Sequence, residues 1–308
     1  MMQIQRILCP IDFSDCSRRA LDHAVALAKW YEATLTVFHV RAPVPISAYA
    51  TVASMIPASQ VGGGRETLND VRAAMQTFAS IDDSTRVPLA FEIGEGDAAR
   101  EIVAVAKAAD TDLIVLGTHG RSGFERFVLG SVTEKVLRKA GCPVLTVPPR
   151  LTEAASSASV TFKRILCAID FSECSMRGLE YATSLAQEAN AQLTVLYVVE
   201  PLPSVPADYE SAVAGLKPLR EYVAAAAEEG RELLRLAIPD DVRSYCQVET
   251  VERIGKPYRE ILQLATEQAS DLIVIGVHGR GVVDLMFFGS TAQHVVRQAH
   301  CPVLTLRM

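Results

Sequence analysis

The sequence predicts an α/β protein built from two doubly wound domains, each with a five-stranded parallel sheet in the strand order 3-2-1-4-5. First, residues 6–17 (RILCPIDFSDCS) and 164–175 (RILCAIDFSECS) are identical at ten of twelve positions, which indicates a duplicated domain. Second, short apolar runs alternate with helix-like segments in both copies, which is typical of parallel sheets covered on both faces. Third, 308 residues that are 49% hydrophobic suffice for two full cores.

The two copies are separated by a short exposed segment. We predict a first domain at residues 1–148, a linker at residues 149–161 and a second domain at residues 162–308. The linker region is rich in proline, serine and alanine, which suits an exposed connection between folded units.

Apolar periodicity assigns the elements of the first copy in order. Short β-branched runs predict buried strands, and apolar residues at spacings of three and four predict amphipathic helices. Strands are predicted at residues 4–11, 34–40, 87–93, 112–116 and 143–147. Helices are predicted after the candidate N-caps Ser14 and Asp15 and at residues 67–80, 97–109 and 131–140. Residues 41–64, with three prolines and a triple glycine, are predicted to form a loop.

The second copy repeats this order of elements. Its strands are predicted near residues 164–169, 192–198, 245–252, 271–275 and 302–306. The connection after the second strand differs, because residues 208–237 have a strongly helical composition. Crossovers between the parallel strands are expected to be right-handed.

The predicted topology places a ligand site between strands one and four. In open parallel sheets, ligands bind outside the carboxyl ends of the strands, at the point where the strand order reverses. Pro10, Ile11 and Asp12 lie just past strand one, and Gly117-Thr118-His119-Gly120 follows strand four. The glycine segment therefore lies where this architecture binds ligands.

The glycine segment has the chemistry of a phosphate-binding loop. Gly117 and Gly120 are followed after nine residues by Gly130-Ser131, and the pattern recurs as Gly276, Gly279 and Gly289-Ser290. Glycines let the backbone approach a ligand closely, and a helix start at Ser131 offers free N–H groups to an anion. Glycine turns and Gly-Ser caps also occur without a ligand. Two copies with the same spacing favour ligand binding.

Charged residues near this site have several interpretations. Arg121, matched by Arg280, either adds positive charge near phosphate or lies in solvent. Asp12 would repel phosphate, so it more plausibly accepts a hydrogen bond from adenine or ribose, or binds Mg²⁺; alternatively it is a satisfied carboxylate at the strand end. His119 has no Asp or Ser partner evident from the sequence, and a lone histidine is not a metal site.

Several other classes of protein fit the sequence poorly. No G-x-x-x-x-G-K-[ST] segment of a P-loop enzyme is present, and residues 94–99 match a dinucleotide fingerprint only loosely, after the wrong strand. A net charge of −6 without any Lys/Arg run argues against nucleic acid as the main partner. The apolar runs are too short to span a membrane, and the first residues lack a signal-peptide core. Seven cysteines in a large, core-rich chain indicate reduced thiols in a cytosolic protein.

These motifs resemble those of the universal stress protein family, and the duplication resembles its tandem type. The Gly-x2-Gly-x9-Gly-[Ser/Thr] pattern, the strand-one Asp and the Cys-Pro-Val-Leu-Thr strands at the end of each copy carry the resemblance. The ATP-binding members of the family imply a set of cofactor-binding residues. In the first copy these are Pro10, Asp12, Val40, Gly117, Gly120, Gly130, Ser131 and Val132, with Val40 against adenine. In the second copy they are Asp170, Val198, Gly276, Gly279, Gly289, Ser290 and Thr291, with Ala168 in place of the proline.

The resemblance also implies an assembly and a function. Family members pair through the last strand, so residues 144–147 and 303–306 are expected to pair within one chain, and two chains can associate further into a homodimer. The function implied is that of a cytosolic stress-response protein that binds ATP and links it to a conformation or a partner. A slow Mg²⁺-dependent ATPase and a nucleotide-free interaction scaffold are the alternatives; without a clear general base near the phosphates, little hydrolysis is expected.

Overall fold

The computed structural model describes residues 4–41, 67–79, 87–119, 129–149, 160–200, 217–238, 242–243, 246–277 and 288–307. Of the loop predicted at residues 41–64, Arg41 instead ends the second strand of the first half. Residues 42–64, most of the linker and the first part of the helical segment predicted at 208–237 lie outside these ranges.

The first half alternates strands and helices as the sequence predicts. Its elements are β1 (Arg6–Ile11), α1 (Asp15–Trp30), β2 (Thr34–Arg41), α2 (Leu68–Ala79), β3 (Leu89–Glu95), α3 (Ala98–Ala108), β4 (Leu113–Gly117), α4 (Ser131–Lys139) and β5 (Val144–Val147). Helix α1 begins where the Ser14 side chain accepts a hydrogen bond from the Ser17 N–H, and α3 begins where Asp97 accepts from the Arg100 N–H.

The second half repeats the series. Its elements are β6 (Arg164–Ile169), α5 (Glu173–Ala189), β7 (Gln192–Val199), α6 (Lys217–Ala237), β8 (Val248–Ile254), α7 (Pro257–Glu267), β9 (Leu272–Gly276), α8 (Ser290–Gln298) and β10 (Val303–Leu306). Ser172 caps α5 as Ser14 caps α1. In the part of the chain that the structure describes, no helix combines the length and the apolar character needed to cross a membrane.

The strands form one sheet in the order β3-β2-β1-β4-β5-β10-β9-β6-β7-β8. Within each half the order is 3-2-1-4-5 and the pairs are parallel, which confirms the predicted fold class and strand order. The halves meet where β5 and β10 pair antiparallel, with Leu145 opposite Leu304. The carboxyl ends of the strands in the first half and of those in the second half therefore point in opposite directions, toward opposite rims of the sheet.

Helices cover both faces of the sheet. Alternate residues of β1 enter different apolar layers: Ile7 and Cys9 pack in one, and Leu8 packs in the other. The first layer includes buried residues of α1, α2, α5 and α6, and the second includes those of α3, α4, α7 and α8. Each layer continues from one half into the other. The strands can be apolar at successive positions because both of their faces are buried.

Candidate functional site

The carboxyl end of β1 carries a half-buried aspartate whose side chain is held by the start of α1. Asp12 Oδ1 accepts hydrogen bonds from the Ser14 N–H at 3.1 Å and from the Ser14 hydroxyl at 2.5 Å. Asp170, at the end of β6, accepts the same two bonds from Ser172 at 3.0 and 2.5 Å. The two halves therefore orient this carboxylate in the same way.

The residue after each aspartate has a backbone conformation that bulky side chains rarely adopt. Phe13 has φ of 64° and Phe171 has φ of 61°, in the left-handed region. The Phe13 ring lies 4.7 Å from the His39 ring and the Phe171 ring lies 4.9 Å from the Tyr197 ring, between centroids. Sequence reasoning did not find these residues, although the identical Asp-Phe-Ser in both copies was the available signal.

The glycine that ends β4 lies against the first turn of α1. A Cβ on Gly117 would lie 2.9 Å from the Cys16 Cβ and 3.0 Å from the Cys16 carbonyl oxygen. The matching Gly276 would bring a Cβ to 3.0 Å from the Ser175 nitrogen. Close packing of strand end and helix start thus requires both glycines. It also brings the turn after strand four beside the end of strand one, where the topology predicts the site.

The third glycine of the motif, Gly130 or Gly289, joins the strand end to a helix N-terminus. The Gly130 N–H donates to the Thr118 carbonyl at 2.8 Å, and the Gly289 N–H donates to the Val277 carbonyl at 2.9 Å. These glycines are the N-caps of α4 and α8, so no cap side chain accepts from the N–H groups of the first turn. A helix N-terminus without such an acceptor presents its donors and its positive dipole end to an outside anion.

The other predicted residues that the structure describes lie near the ends of strands or at the starts of α4 and α8. Val40 and Val198 are half-buried near the ends of β2 and β7, and both pack on the apolar layer that includes α3, α4, α7 and α8. Ser131 and Ser290 are exposed, whereas Val132 and Thr291 are half-buried. Pro10 lies in β1 opposite Phe38 of β2, and its counterpart Ala168 is buried. Four predicted residues lie outside the described part of the chain: Gly120, Arg121, Gly279 and Arg280.

Side chains support the glycine turn differently in the two halves. The buried Thr133 donates from its hydroxyl to the Gly117 carbonyl at 2.8 Å, and the Thr118 hydroxyl lies 2.9 Å from His119 Nδ1. At the matching positions the second half has Ala292 and Val277, which have no hydroxyl. The sequence contained this difference, but its consequence depends on the distance between Thr133 and the end of β4.

The thiols beside Gly117 and Gly276 are poor candidates for a reactive or metal-binding group. Burial raises the pKa of the Cys16 thiol, although nearby Arg19 and the His119 N–H act in the opposite direction. Cys174, its counterpart, is buried and donates to the Leu306 carbonyl at 3.0 Å. Across the described ranges, no three His, Cys, Asp or Glu side chains are grouped as a metal site would require.

In each half, a helix with a glycine N-cap begins beside the point where the strand order reverses. These features place the chain in the class of tandem α/β proteins with a loop in each half that can accept an anion. Comparison with known proteins gives the family. The model of the universal stress protein family matches residues 3–148 and 161–307. The chain therefore belongs to the universal stress protein family, as the sequence motifs predicted.

Individual relatives agree with this assignment. A universal stress protein of Mycolicibacterium smegmatis is 25% identical over 304 residues, which cover 98% of this chain and 96% of that protein. One from Methanocaldococcus jannaschii is 35% identical over 145 residues, 46% of this chain and 81% of its own length. The crystal structure of a universal stress protein from Archaeoglobus fulgidus has the same fold, with a TM-score of 0.64 at 23% identity, covering 99% of this chain and 97% of that one. The tandem arrangement is thus shared over whole chains.

Proposed function

We propose that each half of this protein binds an adenine nucleotide, ATP, and that the bound nucleotide biases a conformation or a partner in a cytosolic stress response. The observation that carries the proposal is the pair of helix N-termini, at Gly130-Ser131 and Gly289-Ser290, at which no cap side chain accepts from the first-turn N–H groups; such donors can bind a phosphate. Family membership and the resemblance of the motif to that of ATP-binding members support the choice of nucleotide.

The phosphates would lie at the starts of α4 and α8. First-turn N–H groups and the exposed hydroxyls of Ser131 and Ser290 would donate to phosphate oxygens. Arg121 and Arg280 would add positive charge from the loop between the glycines. This assignment explains why the N-cap is glycine, because a capping side chain would occupy the donors that the phosphate needs.

The nucleoside would lie across the ends of strands one and two. Asp12 and Asp170 would accept a hydrogen bond from the base or the ribose, and Val40 and Val198 would contact adenine. A Mg²⁺ ion would find one carboxylate at each strand end, and it would need nucleotide phosphates and water to complete its coordination. We therefore propose nucleotide binding with slow hydrolysis at most as the working state.

We also propose that the two halves remain paired in solution, with domain boundaries near residues 148 and 162. Two buried hydroxyls link the strands reciprocally: Thr146 donates to the Val303 carbonyl and Thr305 to the Val144 carbonyl, each at 3.1 Å. The Tyr31 and Ser184 hydroxyls meet at 3.1 Å between α1 and α5. Light scattering would report whether two such chains associate further into a homodimer.

The first experiment identifies the ligand. Mass spectrometry of small molecules released from the purified protein should detect ATP, and calorimetry on stripped protein should detect uptake of ATP with and without Mg²⁺. Multiple turnover with Mg²⁺ would favour the ATPase instead. A cellular effect that survives loss of binding would favour the scaffold.

Variants separate binding from folding. Ser131→Asp combined with Ser290→Asp places a carboxylate at each helix start, which favours the helix but repels phosphate. We expect ATP affinity to fall about a hundredfold, equivalent to about 3 kcal/mol, without loss of stability. Leu68→Asp is the charge control at a remote helix start, because it adds one negative charge, against two in the double variant, at the first residue of α2, where Leu68 is 60% exposed. Equal ATP affinity in the double variant and the control would contradict the proposal.

A further inference from the structure

A three-residue turn follows the first strand of each half: Asp12-Phe13-Ser14 after β1 and Asp170-Phe171-Ser172 after β6. We refer to both as the strand-end turn. Its aspartate lies in the nucleotide site proposed above, and its serine is the N-cap of the following helix. The serine therefore connects the site to a helix that packs on the sheet.

The serine hydroxyl makes two bonds whose directions are fixed by its single proton. Ser14 Oγ accepts from the Ser17 N–H at 3.2 Å, so its own proton is available for Asp12 Oδ1, 2.5 Å away. In the second half Ser172 Oγ accepts from the Ser175 N–H at 3.3 Å and donates to Asp170 Oδ1 at 2.5 Å. The helix start thereby aims the hydroxyl proton at the carboxylate.

The middle residue holds the turn in a costly conformation. A phenylalanine with φ near 60° is strained, yet both halves have one, at 64° and 61°. Ring packing offsets the strain: besides the His39 ring, Phe13 meets the Phe78 ring at 5.4 Å, edge to face. Such a turn brings the serine back to the aspartate two residues before it.

A helix cap alone does not require this arrangement. Asn, Asp or Gly can also cap a helix, but only the hydroxyl of Ser or Thr can accept from the first turn and donate to a carboxylate through the same oxygen. We propose that Ser14 and Ser172 are positioning residues, which fix the carboxylates of Asp12 and Asp170 to accept a donor group of the bound nucleoside. This inference rests on the proposed function and adds residues that act on the ligand through the aspartate.

The test separates the hydroxyl from the cap. Ser14→Gly combined with Ser172→Gly removes both hydroxyls but keeps an acceptable cap, whereas the corresponding Ala variant removes both hydroxyl and cap. We expect ATP affinity to fall about tenfold in both variants, as for loss of one hydrogen bond to a charged group. Stability against urea should fall clearly only in the Ala variant. Ser14→Thr with Ser172→Thr keeps a hydroxyl and should recover most of the affinity.

Nucleotide analogues give a readout that a merely structural role would not change. Inosine triphosphate lacks the 6-amino donor of adenine, and 2′-deoxyadenosine triphosphate lacks one ribose hydroxyl. The wild type should bind at least one of them more weakly than ATP. In the Gly variant that preference should shrink, because the acceptor that reads the missing donor is no longer held in place.

The outcomes distinguish the two proposals. A wild type that takes up no adenine nucleotide overturns the proposed function and this inference with it. A wild type that binds ATP, beside a Gly variant that binds ATP and both analogues with unchanged Kd values, overturns the positioning role alone. Equal weakening toward all three nucleotides also overturns it, because that pattern indicates general disruption of the turn.

Discussion

The described ends of the segment after β4 and of the segment after β9 are joined by the same backbone hydrogen bond, from Gly130 to Thr118 and from Gly289 to Val277, but differ in the side chains around them. The first is tied by the Thr133 hydroxyl to the Gly117 carbonyl at 2.8 Å, whereas the second has Ala292 at that position. Helix α4 has Glu134 in its first turn, where α8 has the neutral Gln293. The backbone therefore positions the donors in both halves, and side chains adjust each copy separately.

Of the two helix-cap glycines, the one in the second half has less room for a side chain. A Cβ on Gly289 would lie 2.5 Å from the Val277 carbonyl oxygen, whereas a Cβ on Gly130 would lie 3.0 Å from the Thr118 oxygen. We expect Gly289→Ala to lower the free energy of unfolding by about 3 kcal/mol and Gly130→Ala by about 1 kcal/mol, because backbone must move further in the former. Urea unfolding followed by circular dichroism measures both. Equal losses would mean that the halves relax alike.

The hydroxyl support is present in the first half. Thr133→Ala leaves the Gly117 carbonyl without this buried donor and should cost about 1 to 1.5 kcal/mol. Thr133→Ser is the control, because it keeps the hydroxyl and loses only a methyl group. Fluorescence of Trp30, the single tryptophan, reports unfolding of this half together with loss of its contact with Phe162 of the second half. If the Ser variant is as unstable as the Ala variant, packing of the methyl group rather than the hydrogen bond supports the turn.

The acidic residue near the helix start affects charge more than stability. Glu134 accepts from Arg138 at 2.9 Å and lies 3.7 Å from Arg297 of α8. Both arginines are partly exposed to solvent, so these ion pairs contribute little to the free energy of unfolding. Glu134→Gln should tighten ATP binding in the first half about twofold, because one negative charge near the phosphates is lost. Gln293→Glu should weaken the second site to a similar extent. Calorimetry of both variants would refute this view if the two shifts had the same sign.

The matched cysteines, Cys16 and Cys174, are expected to differ in their rate of alkylation and not in their effect on stability. Burial raises the pKa of Cys16, so its thiol is protonated and reacts slowly at pH 8. Cys16 is nevertheless half-buried where Cys174 is buried, and we expect iodoacetamide to label Cys16 a few-fold faster. ATP should slow the labelling of Cys16, which lies against Gly117. Peptide mass spectrometry measures both rates, with Cys301, whose pKa burial raises to about 12, as the slow reference; labelling of Cys16 that ATP leaves unchanged would place the nucleotide elsewhere.

Much of this fold could be predicted because its determinants are local. Apolar runs and their alternation with helices gave the strand order, and Ser14 could be recognised as a cap from its place before a periodic segment. The contacts that shape the site join residues far apart in the chain. Glycine is needed at position 117 because Cys16, about one hundred positions away in the chain, leaves no room for a side chain. No local sequence pattern indicates this contact. The φ of Phe13 contradicts its local preference, as is common where tertiary packing decides.

The antiparallel pairing of β5 with β10 places the two proposed sites at opposite ends of the strands, so neither site can contact the other directly. The reversal points beside β4 and β9 are separated by four strand spacings, about 19 Å across the sheet, and they face opposite rims. No single lid can close over both, and one nucleotide cannot bridge them. Under the proposed function, a partner that docks at one rim would detect the nucleotide bound there, and any effect on the opposite rim would have to pass through the protein between the two.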